Sequence, residues 1–539
     1  METDEKKTKN SRLAWAVVFV VMLLTAVIRF RLLDAPLERD EGEYAYAGQL
    51  ILQGVPPYKL AYNMKLPGIY AVYAVIMAIF GQTQTGIHLG LLFVNAATIL
   101  VVFLLTRRLF APAAGAVAAA AFAVLSLAGN VQGIFANAEH FVILPALAGI
   151  LFLLLAIDNR KPLTLLIAGL LLGVALIIKQ HGAAFVLFAG LYLLYGELAR
   201  RPIQLRSLIA RTIVLLVGVT LPFAITCYIL FRAGVFDKFW LWTFDYAGRY
   251  VSLRPMSVAF AALIGEALPV ISGCKAIWLL AMFGFILLIR DNATRRHIPF
   301  VGGLLVFSFL GICPGFYFRS HYFIFMLPAV AILAGFGFAY IWDLLSQKQS
   351  AIVKASVALT LAIVIFGYTV YKQRALFFYQ DPTQASRMTY GLNPFPESLE
   401  IARHIREQSD PNDTIAVIGS EPQIYFYADR RSATGHIYMY ALMENHDLAR
   451  DMQQEMIRQV ESARPKFIVF VPISTSWQAS NGSERPVIEW FERYRLQYYD
   501  RVGIVDIISA DKTVYRWGQD SLQYTPLSDC WLAVYQRKS

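Results

Sequence analysis

Long apolar blocks, divided by short polar or basic turns, fill the chain as far as Val370. Runs at 13–28, 86–105, 113–128, 141–157, 163–178, 183–195, 212–231, 276–290, 298–313, 321–340 and 353–370 approach the ~20 residues a helix needs to cross a bilayer, which predicts eleven spans. A further run at 67–80 is short and opens on Pro67-Gly68, so it reads as an interfacial or re-entrant helix. Beyond Val370 the texture changes. Helical periodicity at 397–408, a strand at 414–418, a helix at 447–461, a buried strand at 466–471, a helix at 485–498 and a final β-like stretch predict a small α/β domain. The expected architecture is an all-α polytopic membrane bundle over 1–370 with a soluble α/β domain over 371–539.

Composition supports a membrane class: 57% hydrophobic residues, 16% charged and a mean hydropathy of +0.51 lie outside the range of water-soluble domains. Charge then orients the bundle. Through Val370 there are 29 Lys and Arg against 16 Asp and Glu; after it, 19 against 21. The positive excess is scattered through short loops, as helix topology requires, and not gathered into a nucleic-acid patch. Lys6, Lys7, Lys9 and Arg12 hold the N-terminus in the cytoplasm, and the first apolar run ends at Arg29-Phe30-Arg31 without a small-residue cleavage site. It reads as an uncleaved first span. Arg107-Arg108, Arg160-Lys161, Arg200 to Arg211 and Arg290 to Arg296 then alternate onto the cytoplasmic side, and an odd number of spans puts the tail outside. The expected location is the inner (plasma) membrane, multi-pass, with an extracytoplasmic C-terminal domain. The four cysteines make neither a disulfide framework nor a CxxC motif.

The chemistry gathers in the outer loops. The first carries Arg39-Asp40-Glu41-Gly42-Glu43-Tyr44-Ala45-Tyr46, then Gly54-Val55-Pro56-Pro57-Tyr58 and Tyr62-Asn63-Met64-Lys65-Leu66-Pro67. One reading makes Asp40 a helix N-cap with Glu43 three positions on, close to a capping box. The other makes Asp40 a general base at a helix start, with Lys65 an ammonium at headgroup depth able to hold a lipid phosphate; a snorkelling lysine is the bland alternative. The second loop holds Glu139, the only acid between Glu43 and Asp158. A carboxylate at the mouth of a bundle needs a partner, with Lys179 and His181 as candidates. Glu139-His140 also suggests a divalent metal, but adjacent helical residues diverge by about 100° and no ligand recurs at i+3 or i+4. Arg249, Arg254 and Arg319 sit on the side the charge rule disfavours, where a phosphate would want them.

The first-loop signature, with Lys65-Leu66-Pro67-Gly68 after it, resembles that of the GT-C glycosyltransferases of the dolichyl-phosphate-mannose protein mannosyltransferase and aminoarabinose transferase type. The resemblance covers about the first 330 residues; beyond them, Asp413-Thr-Ile-Ala-Val-Ile-Gly-Ser-Glu-Pro-Gln-Ile-Tyr is similar to bacterial tails. It implies transfer of a sugar from a polyprenyl phosphate, with inversion, to an acceptor hydroxyl of a glycan, lipid or protein at the outer face. Carried over, Asp40 is the base, Glu41 its partner, Lys65 a phosphate ligand and Glu139 the second-loop acid. Tyr44, Tyr62, Arg249, Arg254, Arg319 and Tyr322 fall on the substrate side. The element here is Lys-Leu-Pro-Gly where the family has Lys-Pro-Pro, which bears on how the interfacial helix sits. A transporter or flippase of lipid-linked sugars is the rival, but the central parts of the runs are nearly uncharged and no internal repeat is found. A polysaccharide polymerase or ligase would center on a large late outer loop, which the pattern lacks.

Overall fold

The computed structural model describes residues 2–346, 350–480 and 482–538; the side chains of Lys6, Lys7 and Lys9, used above for orientation, lie outside the described set. Helices dominate, with a C-terminal sheet, so the fold class read from the sequence holds. The early helices are α1 (Glu2–Arg31), α2 (Arg39–Leu52), α3 (Gly68–Phe80), α4 (Gln84–Leu109), α5 (Pro112–Leu127), α6 (Ala138–Asn159), α7 (Pro162–Ile178), α8 (Ala183–Leu198) and α9 (Leu205–Arg232).

The count of eleven spans does not follow from helix length. Among the described residues seven helices are long and apolar enough to cross a bilayer, and Lys275–Arg290 with Arg295–Ile312 form a further pair bent by 112°. Four apolar helices are shorter, among them α3, α5 and α7. At 1.5 Å per residue, the 16 residues of α5 reach only about 24 Å. The structure also adds a helix that the pattern missed. Met256–Gly273 is apolar and only 6% buried; Glu266 interrupts its run in the sequence, and in the fold that carboxylate accepts a 2.8 Å hydrogen bond from Ser320 Oγ.

The chain forms two compact units, each assembled from separate stretches. The first comprises Met1–Leu32, His88–Cys227 and Arg254–Gln380. It is a helical bundle in which small residues let backbones approach: a Cβ on Gly335 would stand 2.3 Å from the Ala114 carbonyl oxygen of α5. Lipid offers no hydrophobic drive between helices, so such close backbone contact carries the packing.

The second unit comprises Leu33–Ile87, Tyr228–Leu253 and Asp381–Ser539, so the first loop and the segment before Arg254 are folded together with the tail. Its six strands are β1 (Thr414–Ile418), β2 (Arg431–Ser432), β3 (Phe467–Phe470), β4 (Tyr499–Ser509), β5 (Lys512–Trp517) and β6 (Trp531–Arg537). They lie in the order β2-β1-β3-β6-β4-β5, parallel across the first three and antiparallel across the rest. Ile415 to Ile418 of β1 and Phe467 to Val469 of β3 are wholly buried. Strands covered on both faces read as unbroken apolar runs, which is why both were legible.

Candidate active site

The helix start that carries the acids is built two residues earlier than the sequence reading placed it. Glu38 is the N-cap: its side chain accepts from Glu41 N at 3.0 Å, and the Glu41 carboxylate accepts from Glu38 N at 3.0 Å. This capping box closes on Glu38 and Glu41, so Asp40 is a residue inside the first turn and not the cap. Glu41 is fully buried in that role. Burial first, and then the charges of Asp40 and Glu41, push the Glu38 carboxyl well above its ordinary range, which lowers the negative charge beside Asp40.

Released from capping, Asp40 meets Lys65. Lys65 Nζ stands 3.1 Å from Asp40 Oδ2 and 3.8 Å from Glu43 Oε2, and it donates a 2.9 Å hydrogen bond to Tyr44 OH. Asp40 keeps 28% of its side chain exposed, while Lys65 has 12% and Glu43 1%. The Asp40 carboxylate is therefore the open member of the group. Glu43 is held by Tyr70 OH at 2.5 Å and Asn63 Nδ2 at 2.7 Å. Burial raises its pKa to about 7 against the lowering influence of Lys65. Lys65 is fixed from the backbone side as well, since its carbonyl accepts from Tyr58 OH at 2.7 Å.

Tail residues hold this helix start. Arg39 donates to Ser420 O at 2.5 Å, to Glu421 Oε1 at 2.9 Å and to Tyr440 OH at 2.7 Å. Gly42 is pressed against the tail: a Cβ there would stand 2.6 Å from the backbone nitrogen of Gln423. Tyr438 OH donates to Asp40 Oδ1 at 3.0 Å. Tyr62 donates its backbone N–H to Gly435 O at 2.7 Å, and its ring lies 4.8 Å from Lys238 Nζ. Lys238 is paired with Glu455 at 2.7 Å. Arg249 grips Asp447 with both sides of its guanidinium, at 2.6 and 3.0 Å. Both side chains are exposed, so this is a surface ion pair.

The first unit has its own buried polar cluster. Glu139 lies in the first turn of α6 and is 1% exposed. It is ion-paired and hydrogen-bonded to Lys179, which follows α7, and His321 Nε2 is 3.9 Å away. Lys179 Nζ lies 4.4 Å over the Tyr322 ring, and His321 Nδ1 meets Gln132 Oε1 at 2.9 Å. Of the two expected partners for Glu139, Lys179 is the one it takes. Arg254 and Arg319 flank Tyr317 instead, 4.2 and 5.6 Å from its ring. Among the described residues no three His, Cys, Asp or Glu side chains cluster to hold a metal ion.

A sequence model of the family described as dolichyl-phosphate-mannose-protein mannosyltransferase matches residues 64–226, which includes Lys65, Glu139 and Lys179. The chain superposes on the undecaprenyl-phosphate-bound ArnT of Cupriavidus metallidurans with a TM-score of 0.55 at 18% identity, over 85% of this chain and 92% of that one. The archaeal oligosaccharyltransferase AglB of Archaeoglobus fulgidus, solved with an inhibitory peptide and a dolichol-phosphate, gives 0.55 at 12% identity over 96% and 75%. The fold is that of the GT-C glycosyltransferases. No curated protein matches by sequence.

Within this GT-C frame the structure brings Asp40, Tyr44 and Lys65 into one constellation and puts Glu41 in the cap beneath it. Glu139 and Tyr322 meet in the other unit. Sequence reasoning missed Tyr438, Asn63, Tyr70 and His321 as members. Asn63 carried a signal, since an amide two residues before Lys65 in a loop beside carboxylates can bridge them; Tyr438, 398 residues from Asp40, carried none.

Proposed function

We propose that this chain is an integral membrane glycosyltransferase that moves a sugar from a polyprenyl-phosphate donor to an acceptor hydroxyl, with inversion, at the extracytoplasmic face. The observation that carries the reading is the partly open Asp40 carboxylate 3.1 Å from Lys65 Nζ. A phosphate leaving group is already charged and needs a cation, not an acid; a hydroxyl nucleophile needs a base. Lys65 supplies the first and Asp40 the second. When the donor phosphate takes the ammonium's charge, Asp40 loses its counter-ion and becomes the better base. The acceptor oxygen then bonds to the anomeric carbon as the bond to phosphate breaks. Asp40 receives the hydroxyl proton, and the polyprenyl phosphate departs.

Around this pair, Tyr44 steadies Lys65 and Glu41 sets Asp40 in the first turn of α2. In the other unit, Glu139 is the second-loop acid of the resemblance, paired with Lys179 beside Tyr322. The match to a family of lipid-linked mannosyl transfer supports the donor class, as do the lipid phosphates bound by ArnT and AglB.

The face follows from a single crossing. The basic N-terminus, Lys6 to Arg12, favours the cytoplasm, so one passage of α1 carries Leu33–Ile87 outside. Those residues belong to one compact unit with Asp381–Ser539, which supports putting the tail on the same side.

The test is to incubate the purified protein with a panel of polyprenyl-phosphate sugars and candidate glycan, lipid and peptide acceptors. Release of lipid phosphate that depends on Asp40 is expected; no release with any donor would sink the reading.

A further inference from the structure

The first loop is closed by a stretch of the tail that no family motif covers. Gly435 O accepts the Tyr62 N–H at 2.7 Å, Tyr438 OH donates to Asp40 Oδ1 at 3.0 Å, and Tyr440 OH accepts from Arg39 at 2.7 Å. Residues 435–440 thus touch the loop both at the start of α2 and three residues before Lys65. All of these residues belong to the second unit, so the arrangement is internal to one compact body.

The geometry at Asp40 is specific. One carboxylate oxygen, Oδ2, is taken by Lys65, and the other, Oδ1, receives the phenol of Tyr438. A general base must present a lone pair to the incoming hydroxyl, and the oxygen not tied to the ammonium is the more basic of the two. Tyr438 is itself buried, and its ring stands 5.4 Å from that of Tyr440. Its hydroxyl is therefore delivered by a fixed ring and not by a mobile surface side chain.

We propose that Tyr438 is a positioning residue for transfer: its hydroxyl orients Oδ1 of Asp40 toward the acceptor, and residues 435–440 of the tail form the acceptor-side wall of the site. This rests on the glycosyltransferase reading above and deepens it, because it makes the C-terminal domain a structural part of the site and not an appendage. An acceptor hydroxyl approaches Oδ1 beside the Tyr438 phenol, while the donor phosphate engages Lys65 from the Oδ2 side.

The experiment compares the full-length wild type with Tyr438→Phe, which keeps the ring and removes only the hydroxyl. The readouts are kcat, KM for donor and acceptor separately, binding of undecaprenyl phosphate alone, and the thermal midpoint. Loss of a hydrogen bond to a charged group predicts a fall in kcat or a rise in acceptor KM of about ten- to a hundredfold. Lipid-phosphate binding and the midpoint stay at the wild-type level. A kcat and acceptor KM within twofold of wild type overturn the proposal, as does a parallel loss of lipid-phosphate binding or of folding, which would make Tyr438 a general support. A wild type that transfers no sugar from any donor overturns the glycosyltransferase reading itself and this inference with it, an outcome distinct from an active wild type and an unimpaired Tyr438→Phe.

Discussion

Lys65 Nζ is shared between Asp40 Oδ2 at 3.1 Å and Glu43 Oε2 at 3.8 Å, so one ammonium serves an open carboxylate and a buried one. The two acids differ by environment and not by type. Asp40 retains access to solvent, whereas Glu43 is enclosed by Tyr70, Asn63 and the base of the loop. The division of labour this implies makes the site testable residue by residue.

Asp40→Asn keeps the shape of the side chain and removes its basicity. Transfer should fall by at least about a hundredfold, the scale of losing one well-placed catalytic group. Binding of undecaprenyl phosphate should persist, because Lys65 no longer shares its charge with a carboxylate at that position. Kinetics paired with a lipid-phosphate binding assay check this; normal turnover in the variant removes the assigned base.

Glu43, with its pKa raised to about 7, makes a pH-dependent contribution to stability. A raised folded-state value favours folding below the unfolded carboxyl pKa and loses that advantage as pH climbs from about 4.5 to about 7. Glu43→Gln should therefore match the wild type near pH 4.5 and gain on it toward pH 8, by up to about 3 kcal/mol. Thermal midpoints of both proteins across that range are the measurement, and parallel curves would refute the assignment.

Glu139→Gln leaves the Lys179 ammonium buried without its ion-pair partner, at a cost of about 3–5 kcal/mol. Adding Lys179→Met should restore most of the stability. If the pair is only structural, activity returns with the fold; if it belongs to the site, the double variant folds and stays inactive. Melting and transfer assays on the wild type and the two variants separate these cases.

Gly42→Ala would push a methyl to 2.6 Å from the Gln423 backbone, where no flexible side chain can yield. The start of α2 must then shift away from the tail, with a cost of about 1–3 kcal/mol for the overpacking. Stability and activity should drop together, because the same turn carries Asp40. An alanine variant with wild-type melting would show that this contact is looser than described.

Much of the architecture was legible because it rests on local physics. Apolar block length marked the bundle, and the buried runs at 414–418 and 466–471 marked the strands that became β1 and β3. Met256–Gly273 escaped because Glu266 broke the pattern; its compensation by Ser320 is 54 residues away. The capping register was misplaced by two residues because Asp40/Glu43 and Glu38/Glu41 share the same spacing of three. Local sequence cannot rank them; the burial of Glu38 and Glu41 does.

The sequence by itself determined that this chain is a helical membrane protein with a terminal α/β domain and an acid-and-lysine first loop, because hydropathy, periodicity and charge bias act over a few residues at a time. Only the tertiary structure decided that Asp40, Lys65 and Tyr438 meet, that Lys179 answers Glu139, and that Arg249 pairs with Asp447. Those pairings are choices among many carboxylates and cations of equal local chemistry. They are made by the folding within each unit: Leu33–Ile87, Tyr228–Leu253 and Asp381–Ser539 join the Asp40 and Arg249 groups, while the buried Glu139–Lys179 pair forms in the other unit, where burying one charge beside another is favourable only for the pair that fits.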